Sequence, residues 1–195
     1  MKRLARIFLL SALTALTVSA AGRKKLQDVP DNGHIDPYLQ GEANESPMVR
    51  EVRHNLVTLP YFGVFDDLGF TVDGSTVTLV GAVTQPFLKD DAERVTKKVE
   101  GVGKVINNIE ILPLSPFDDQ IRRRVFHAIY GDPQLSMKYG YSAIPSIHII
   151  VKNGNVRLEG VVANQMDKQI CGMRASAVPG TFRVENSLRV ENNRK

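Results

Sequence analysis

Four histidines, a single cysteine, three adjacent aspartate pairs and a run of three arginines are the residues of this 195-residue chain that could do chemistry. His34, His54, His127 and His148 do not meet another His or a Cys at metal-ligand spacing, so no metal site and no cofactor are expected. Asp66–Asp67, Asp90–Asp91 and Asp118–Asp119 could serve as paired acid–base carboxylates. The last two pairs, however, sit where helices are expected to open, and there the helix dipole favours negative charge without any reaction. Cys171 has no partner for a disulfide and reads as a small buried hydrophobe. There is no glycine-rich phosphate loop, nucleophile elbow or Cys–His pair. No catalytic residue is expected, and the chain does not read as an enzyme.

The arginines offer a binding chemistry instead. Arg122, Arg123 and Arg124 fall on one expected helix, where consecutive residues differ by about 100°. Arg122, Phe126 and Tyr130 share a stripe at i, i+4 and i+8, which combines a cation with aromatic rings and suits a lipid headgroup interface. Lys138, Tyr139 and Tyr141 follow in an expected loop, Gly131–Ser146. Together these residues form a candidate contact for an anionic phospholipid surface. The alternative is a solvated helix face beside a polar loop.

The elements that would carry this patch come in two copies. Ser46-Pro47 recurs as Ser115-Pro116, and Val52 and Leu56 recur as Ile121 and Val125. Further on, Val77-Thr78-Leu79-Val80-Gly81 matches Val156-Arg157-Leu158-Glu159-Gly160, and Ala92 aligns with Cys171. Val99-Glu100-Gly101 matches Val178-Pro179-Gly180, and Val105 and Asn107 match Val184 and Asn186. The second copy carries about ten extra residues near its first loop. Such an internal echo favours a binding or scaffolding role, since a reaction centre rarely comes in two equal copies.

Each copy opens with a Ser N-cap and a Pro at the first helical position. Apolar residues at three- and four-residue spacing then define one buried helix face. A hairpin follows, 69–83 in the first copy and 147–162 in the second, where Asn153-Gly154 is a strong two-residue turn signal. A second helix is expected over 90–99 and 167–178, and a last strand over 104–112 and 183–191. Gly81 and Gly160 are expected to end strands, and Gly101 and Gly180 to stop helices. Gly172 and Arg174 are irregularities in the second copy's second helix. The expected fold is α+β: two tandem αββαβ modules, 46–112 and 115–191, each a three-stranded sheet with two helices on one face. The linker Leu112-Pro113-Leu114-Ser115 is too short for a free tether, so the modules should pack together.

Residues 1–21 have the layout of a secretory signal peptide: a basic start at Lys2, Arg3 and Arg6, an apolar stretch, then Ser19-Ala20-Ala21. A retained N-terminal anchor is the competing reading, although the stretch is short for a span of roughly 20 apolar residues. Residues 22–45 read as a disordered leader, rich in Asp, Asn, Gly, Glu and Gln. The whole chain carries a net charge of +4, and removal of the three bases before residue 22 leaves it near +1. No nucleic-acid partner is therefore expected. The remaining charge is uneven: residues 48–115 net −2 and residues 116–191 net +3. An anionic surface would meet the second module first.

A hairpin ending in Val-x-Leu-x-Gly, then a helix, Val-x-Gly, and Val-x-Asn-x-hydrophobic resembles the BON family of bacterial envelope proteins, linked to osmotic stress and nodulation. The matching residues are Val77, Leu79, Gly81, Val99, Gly101, Val105, Asn107 and Ile109, and again Val156, Leu158, Gly160, Val178, Gly180, Val184, Asn186 and Leu188. The resemblance implies a periplasmic or outer-membrane-facing setting and a non-enzymatic role, often proposed to be binding of anionic phospholipid. Two readings stay open: a protein that binds anionic lipid mainly through its second unit, or an interaction module whose sheet faces or edges bind an envelope protein.

Overall fold

The computed structural model describes residues 35–37, 45–142 and 145–191. The expected signal peptide lies outside the described residues, as does most of the leader.

The first unit runs α1 (Pro47–Val57), β1 (Asp67–Asp73), β2 (Thr76–Val83), α2 (Pro86–Thr96), β3 (Lys104–Asn107) and β4 (Glu110–Ile111). The second runs α3 (Pro116–Tyr130), α4 (Pro133–Tyr139), β5 (Ile147–Lys152), β6 (Asn155–Val162), α5 (Gln165–Ser176), β7 (Arg183–Asn186) and β8 (Arg189–Val190). The order matches the expected repeat, with α4 added. Ser46 and Ser115 cap their helices as the sequence predicts, accepting from the N–H groups of Val49 and Asp118.

In each unit the central strand pairs antiparallel with the hairpin strand before it and parallel with the strands after the helix. Both helices lie on one face of the sheet. Val52, Leu56, Leu88 and Ala92 pack onto Leu68, Phe70, Val77 and Leu79 in the first unit. Ile121, Val125, Cys171 and Ala175 pack onto Ile147, Ile149, Val156 and Leu158 in the second. Alternating side chains put this apolar set on one face of each strand, as the two-residue period requires.

Four expectations need correction. The last strand of each unit is two short strands, because Asn107 and Asn186 interrupt it. The Asn107 amide donates to Lys89 O (2.9 Å) and its oxygen accepts from Ile109 N (3.2 Å). Asn186 repeats the device on Lys168 O (2.7 Å) and Leu188 N (3.4 Å). These bonds tie the second helix to the sheet edge and replace ladder bonds. Helix α2 begins at Pro86, a full turn before the acidic pair, so Asp90 and Asp91 do not open it. The second unit's helix likewise starts two residues early, at Gln165. Gly81 and Gly160 lie inside β2 and β6 rather than at their ends. Finally, part of the expected loop after Gly131 is helix α4, capped by Asp132.

The irregularities of α5 have physical reasons. A side chain at Gly172 would sit 2.8 Å from the Asn186 amide nitrogen, so glycine lets that amide reach the helix. Arg174 does not enter the core; it turns out to Asp132 at 2.6 and 3.0 Å.

The units meet through the sheet faces opposite their helices. Ala82 and Leu112 bury against Ile150, and Arg157 lies 3.8 Å from Asp67 and 2.8 Å from Glu159. Lys152 pairs with Glu110 across the same junction. The loop after α1 adds a second contact. Val64 O accepts from Ile149 N at 2.8 Å, Phe65 meets Phe126 edge-on at 6.2 Å, and Phe62 stacks on His148 at 5.4 Å.

The outer strand of each hairpin is thereby partly covered, which shortens the open edge at β1 and β5. On β5, Val64 takes the Ile149 N–H, while Tyr130 and Arg122 donate to Ile147 O and Val151 O, each at 2.7 Å. On β1, Phe70 exchanges both backbone bonds with Ile35, at 2.6 and 3.0 Å. Asp36 beside it pairs with Arg189 of the second unit, and its carbonyl accepts from Arg53 at 2.7 Å. This piece of the leader therefore touches both units.

Buried His148 makes the junction sensitive to acid. Its Nδ1 donates to Gly63 O at 3.2 Å, and burial holds its pKa below the ordinary 6.5 despite the nearby Asp66 carboxylate. Because the folded chain resists protonation there, the unfolded chain binds more protons as pH falls below about 6.5. The stability contribution is complete above that value and declines as pH drops toward the lower folded pKa. Thermal melts should thus fall between pH 6.5 and 5 in the native chain, and His148→Gln should flatten that interval. An equal slope in both would remove His148 as the cause.

Candidate functional site

The expected patch is divided by the fold. Arg122 is buried: it pairs with Asp119 and donates to Val151 O. The Arg122–Phe126–Tyr130 stripe is real as a helix stripe, but it faces the edge of β5 and the first unit's Phe65 rather than solvent. Tyr130 is anchored by its hydroxyl to Ile147 O, and burial raises its pKa. Tyr139 is buried as well. It donates to Asp167 at 2.7 Å and accepts from Ala163 N at 2.9 Å, and burial is again the first cause of its raised pKa. Lys138 also goes to Asp167, at 2.8 Å. Arg122 and most of Tyr130 are thus structural because β5 carbonyls take their donors, and Tyr139 because helix α4 folds the expected loop back onto the body.

What stays outside is smaller. Arg123 and Arg124 are exposed on α3, and Tyr141 is 87% exposed. Arg124 reaches Pro179 O at 3.3 Å, so its head lies over the loop between α5 and β7. Arg123 makes no ion pair with any described residue.

Two aromatic residues absent from the sequence reading complete this surface. Phe117, in the first turn of α3, is 45% exposed, and Phe182, just before β7, is 75% exposed. Their ring centroids lie 6.2 Å apart. Phe117 is one turn-pair before Arg124 on α3, at i and i+7, so ring and guanidinium share a face. The only sequence signal was their exposure-prone setting beside a helix start and a turn; pairing needs the fold, since they are 65 positions apart.

The remaining polar clusters have structural explanations. Asp118 is buried and accepts from Asn153 N and Gly154 N, both at 2.8 Å, which fastens α3 to the hairpin turn. Asp66 accepts from Thr84 N at 2.7 Å and Gly63 N at 3.1 Å. Burial pushes the Cys171 thiol up to about 12, so it is not a nucleophile at neutral pH. Among the described residues no group of His, Cys, Asp and Glu could hold a metal ion, and no helix is long and apolar enough to cross a membrane.

Two successive α+β units of one topology define a tandem-repeat protein. The chain belongs to the BON domain family, whose model matches residues 48–113 and 117–192. That family is in general non-enzymatic, and its members occur in periplasmic or envelope proteins. No curated protein matches the chain. Two solved structures of CdsD, a structural protein of the type III secretion system of Chlamydia trachomatis, are similar at 12% identity. One covers 75% of this chain and 98% of its own, with a TM-score of 0.27. The other covers 74% and 93%, with a TM-score of 0.28. Likeness this slight carries no argument about what the chain does.

Proposed function

We propose that this is an exported, non-enzymatic envelope protein that lies against anionic phospholipid through its second unit. The observation that supports this most is the exposed aromatic pair Phe117 and Phe182 beside Arg124, with Arg123 on the next face of the same helix. Rings of this kind sit at the headgroup level while cations meet lipid phosphate. The second unit's net charge of +3 between residues 116 and 191 has the matching sign. A protein partner on the β1 or β5 edge is less well served, since those strands are paired at Phe70 and Ile149 within the chain, which leaves β3 and β7 as the sheet edges for that second reading.

Each base near an anionic surface contributes about 1 kcal/mol. Replacing Arg123 and Arg124 by Ala should therefore weaken binding to phosphatidylglycerol vesicles by roughly 30-fold at low salt. Phe117→Ser with Phe182→Ser should weaken it further and reduce flotation even where the charge is intact. Flotation of the mature chain checks both. A native chain that ignores cardiolipin and phosphatidylglycerol vesicles at low salt would overturn the lipid reading, and an Arg123/Arg124 variant that floats equally well would overturn the site.

A further inference from the structure

A pocket of about 440 Å³ opens on the other flank of α3, where the two units join. Its walls are Val64 from the first unit and Phe126, Tyr130 and Tyr139 from the second, with His127, Ser136 and Ser142 at the rim. Both tyrosine hydroxyls are engaged elsewhere, Tyr130 on Ile147 O and Tyr139 on Asp167 and Ala163 N. The tyrosines therefore offer the pocket ring surface and no hydrogen-bonding group. Apolar concavities with a few polar rim groups at a domain junction are typical small-molecule sites, commonly about 300–1,000 Å³. This one falls at the small end, enough for one chain of an amphiphile and too small for two.

The rim supplies a sign. Arg123 lies one helical turn before His127 on α3. It is the member of the arginine run left without a described partner: Arg122 is held by Asp119 and Val151 O, and Arg124 by Pro179 O and Gln120. No acidic residue occurs between Ile121 and Tyr130. An exposed guanidinium one helical turn from the pocket's His127 rim fits an acidic head joined to a hydrocarbon tail. We propose that this pocket binds the single acyl chain of an anionic amphiphile, a fatty acid or lysophospholipid, with its acidic group at Arg123 and His127. The anionic class of the head rests on the surface reading above; the pocket does not. Because Val64 and Phe126 come from different units, an occupied pocket would tie the units together.

Laurate below its micellar concentration is the probe, with dodecanol and dodecyltrimethylammonium as neutral and cationic controls. Amide NMR shifts are expected at Val64, His127, Ser136 and Gly140, with laurate binding at least tenfold tighter than the cationic control. Arg123→Glu should cost about tenfold. Ser142→Trp at the exposed rim, or Val64→Phe from the opposite wall, should abolish binding, and either folded variant suffices. Absent shifts in the native chain, equal binding of the three amphiphiles, or unchanged affinity in a folded pocket-filling variant would overturn the proposal. Vesicle flotation separates the two sites. A native chain that floats without binding laurate loses the pocket and keeps the surface. One that binds laurate without floating keeps the pocket and loses the surface.

Discussion

Replacing Gly160 by Ala is expected to destabilise the second unit severely, and Gly81→Ala the first. Both glycines sit in the middle strand of their sheet with φ of +117° and +115°. L-residues avoid that region because the Cβ crowds the backbone. Space forbids the side chain as well. A Cβ at Gly160 would lie 3.0 Å from the Ser146 carbonyl carbon and closer still to its oxygen, and one at Gly81 would lie 2.8 Å from the Asp67 carbonyl carbon. Neither obstacle is a side chain that can swing away; both are backbone of the neighbouring hairpin strand. Strained backbone alone costs about 1–3 kcal/mol, and displacing a paired strand adds to it. A loss of at least about 3 kcal/mol is large against the 5–15 kcal/mol typical of a domain. Gly74→Ala is the control: its φ is +58°, but nothing lies within 4 Å of its added Cβ, so about 1–2 kcal/mol is expected. Urea unfolding of the three variants checks the ranking. A Gly160→Ala midpoint no lower than that of Gly74→Ala would contradict the backbone collision.

Asp167→Ala should have an effect of similar size by a different route. The Asp167 carboxylate is fully buried at the start of α5. It accepts from Lys138 at 2.8 Å, Tyr139 at 2.7 Å, and Gln134 and Asn164 at 3.0 and 3.1 Å. Three of these donors come from α4, so one carboxylate fastens the inserted helix to the body. Removing it strands the buried Tyr139 hydroxyl, at about 1–3 kcal/mol, whereas Lys138 and Gln134 reach solvent and lose only the modest net worth of their bonds. A total of about 3 kcal/mol is expected. Burial alone would raise this carboxyl's pKa, but the bonds from Lys138, Tyr139 and Gln134 outweigh it and hold it below the ordinary 3.8. A lowered folded pKa means the unfolded chain takes up the proton first as pH falls. The contribution is complete above about pH 4 and is lost as pH drops through the folded value. Acid unfolding followed by circular dichroism should show the native chain losing this increment, and Asp167→Asn should lack it. Hydrogen exchange in Pro133–Tyr139 should accelerate in Asp167→Ala before it does in β5 and β6. If α4 stays as protected as in the native chain, the carboxylate is not its fastening.

The arginine run shows where local reasoning reaches its limit. Arg122, Phe126 and Tyr130 do align on α3, as helical geometry demands. Which stripe of a helix meets solvent is nevertheless set by its neighbours, and here the neighbours are the outer edge of β5 and the first unit's Phe65. Unpaired strand carbonyls need donors, and Arg122 and Tyr130 supply them. Tyr139 was drawn inward for the same kind of reason, because Asp167 needs a donor in a site water cannot reach.

The sequence by itself determined the duplicated α+β module, its caps, its hairpin turns and its two apolar stripes. These are short-range patterns: Ser-Pro at a helix start, Asn-Gly at a turn, and apolar residues at periods of two and 3.6. It also determined the BON membership, since Val-x-Leu-x-Gly and the Asn after it mark positions where backbone geometry leaves little choice. Only the tertiary structure decided which cations are free, that Phe117 and Phe182 meet, that the loop after Gly131 contains a helix, and that Val64 closes a pocket on the second unit. Each of those depends on atoms brought together from positions tens of residues apart, and periodicity within one element carries no information about the element that packs beside it.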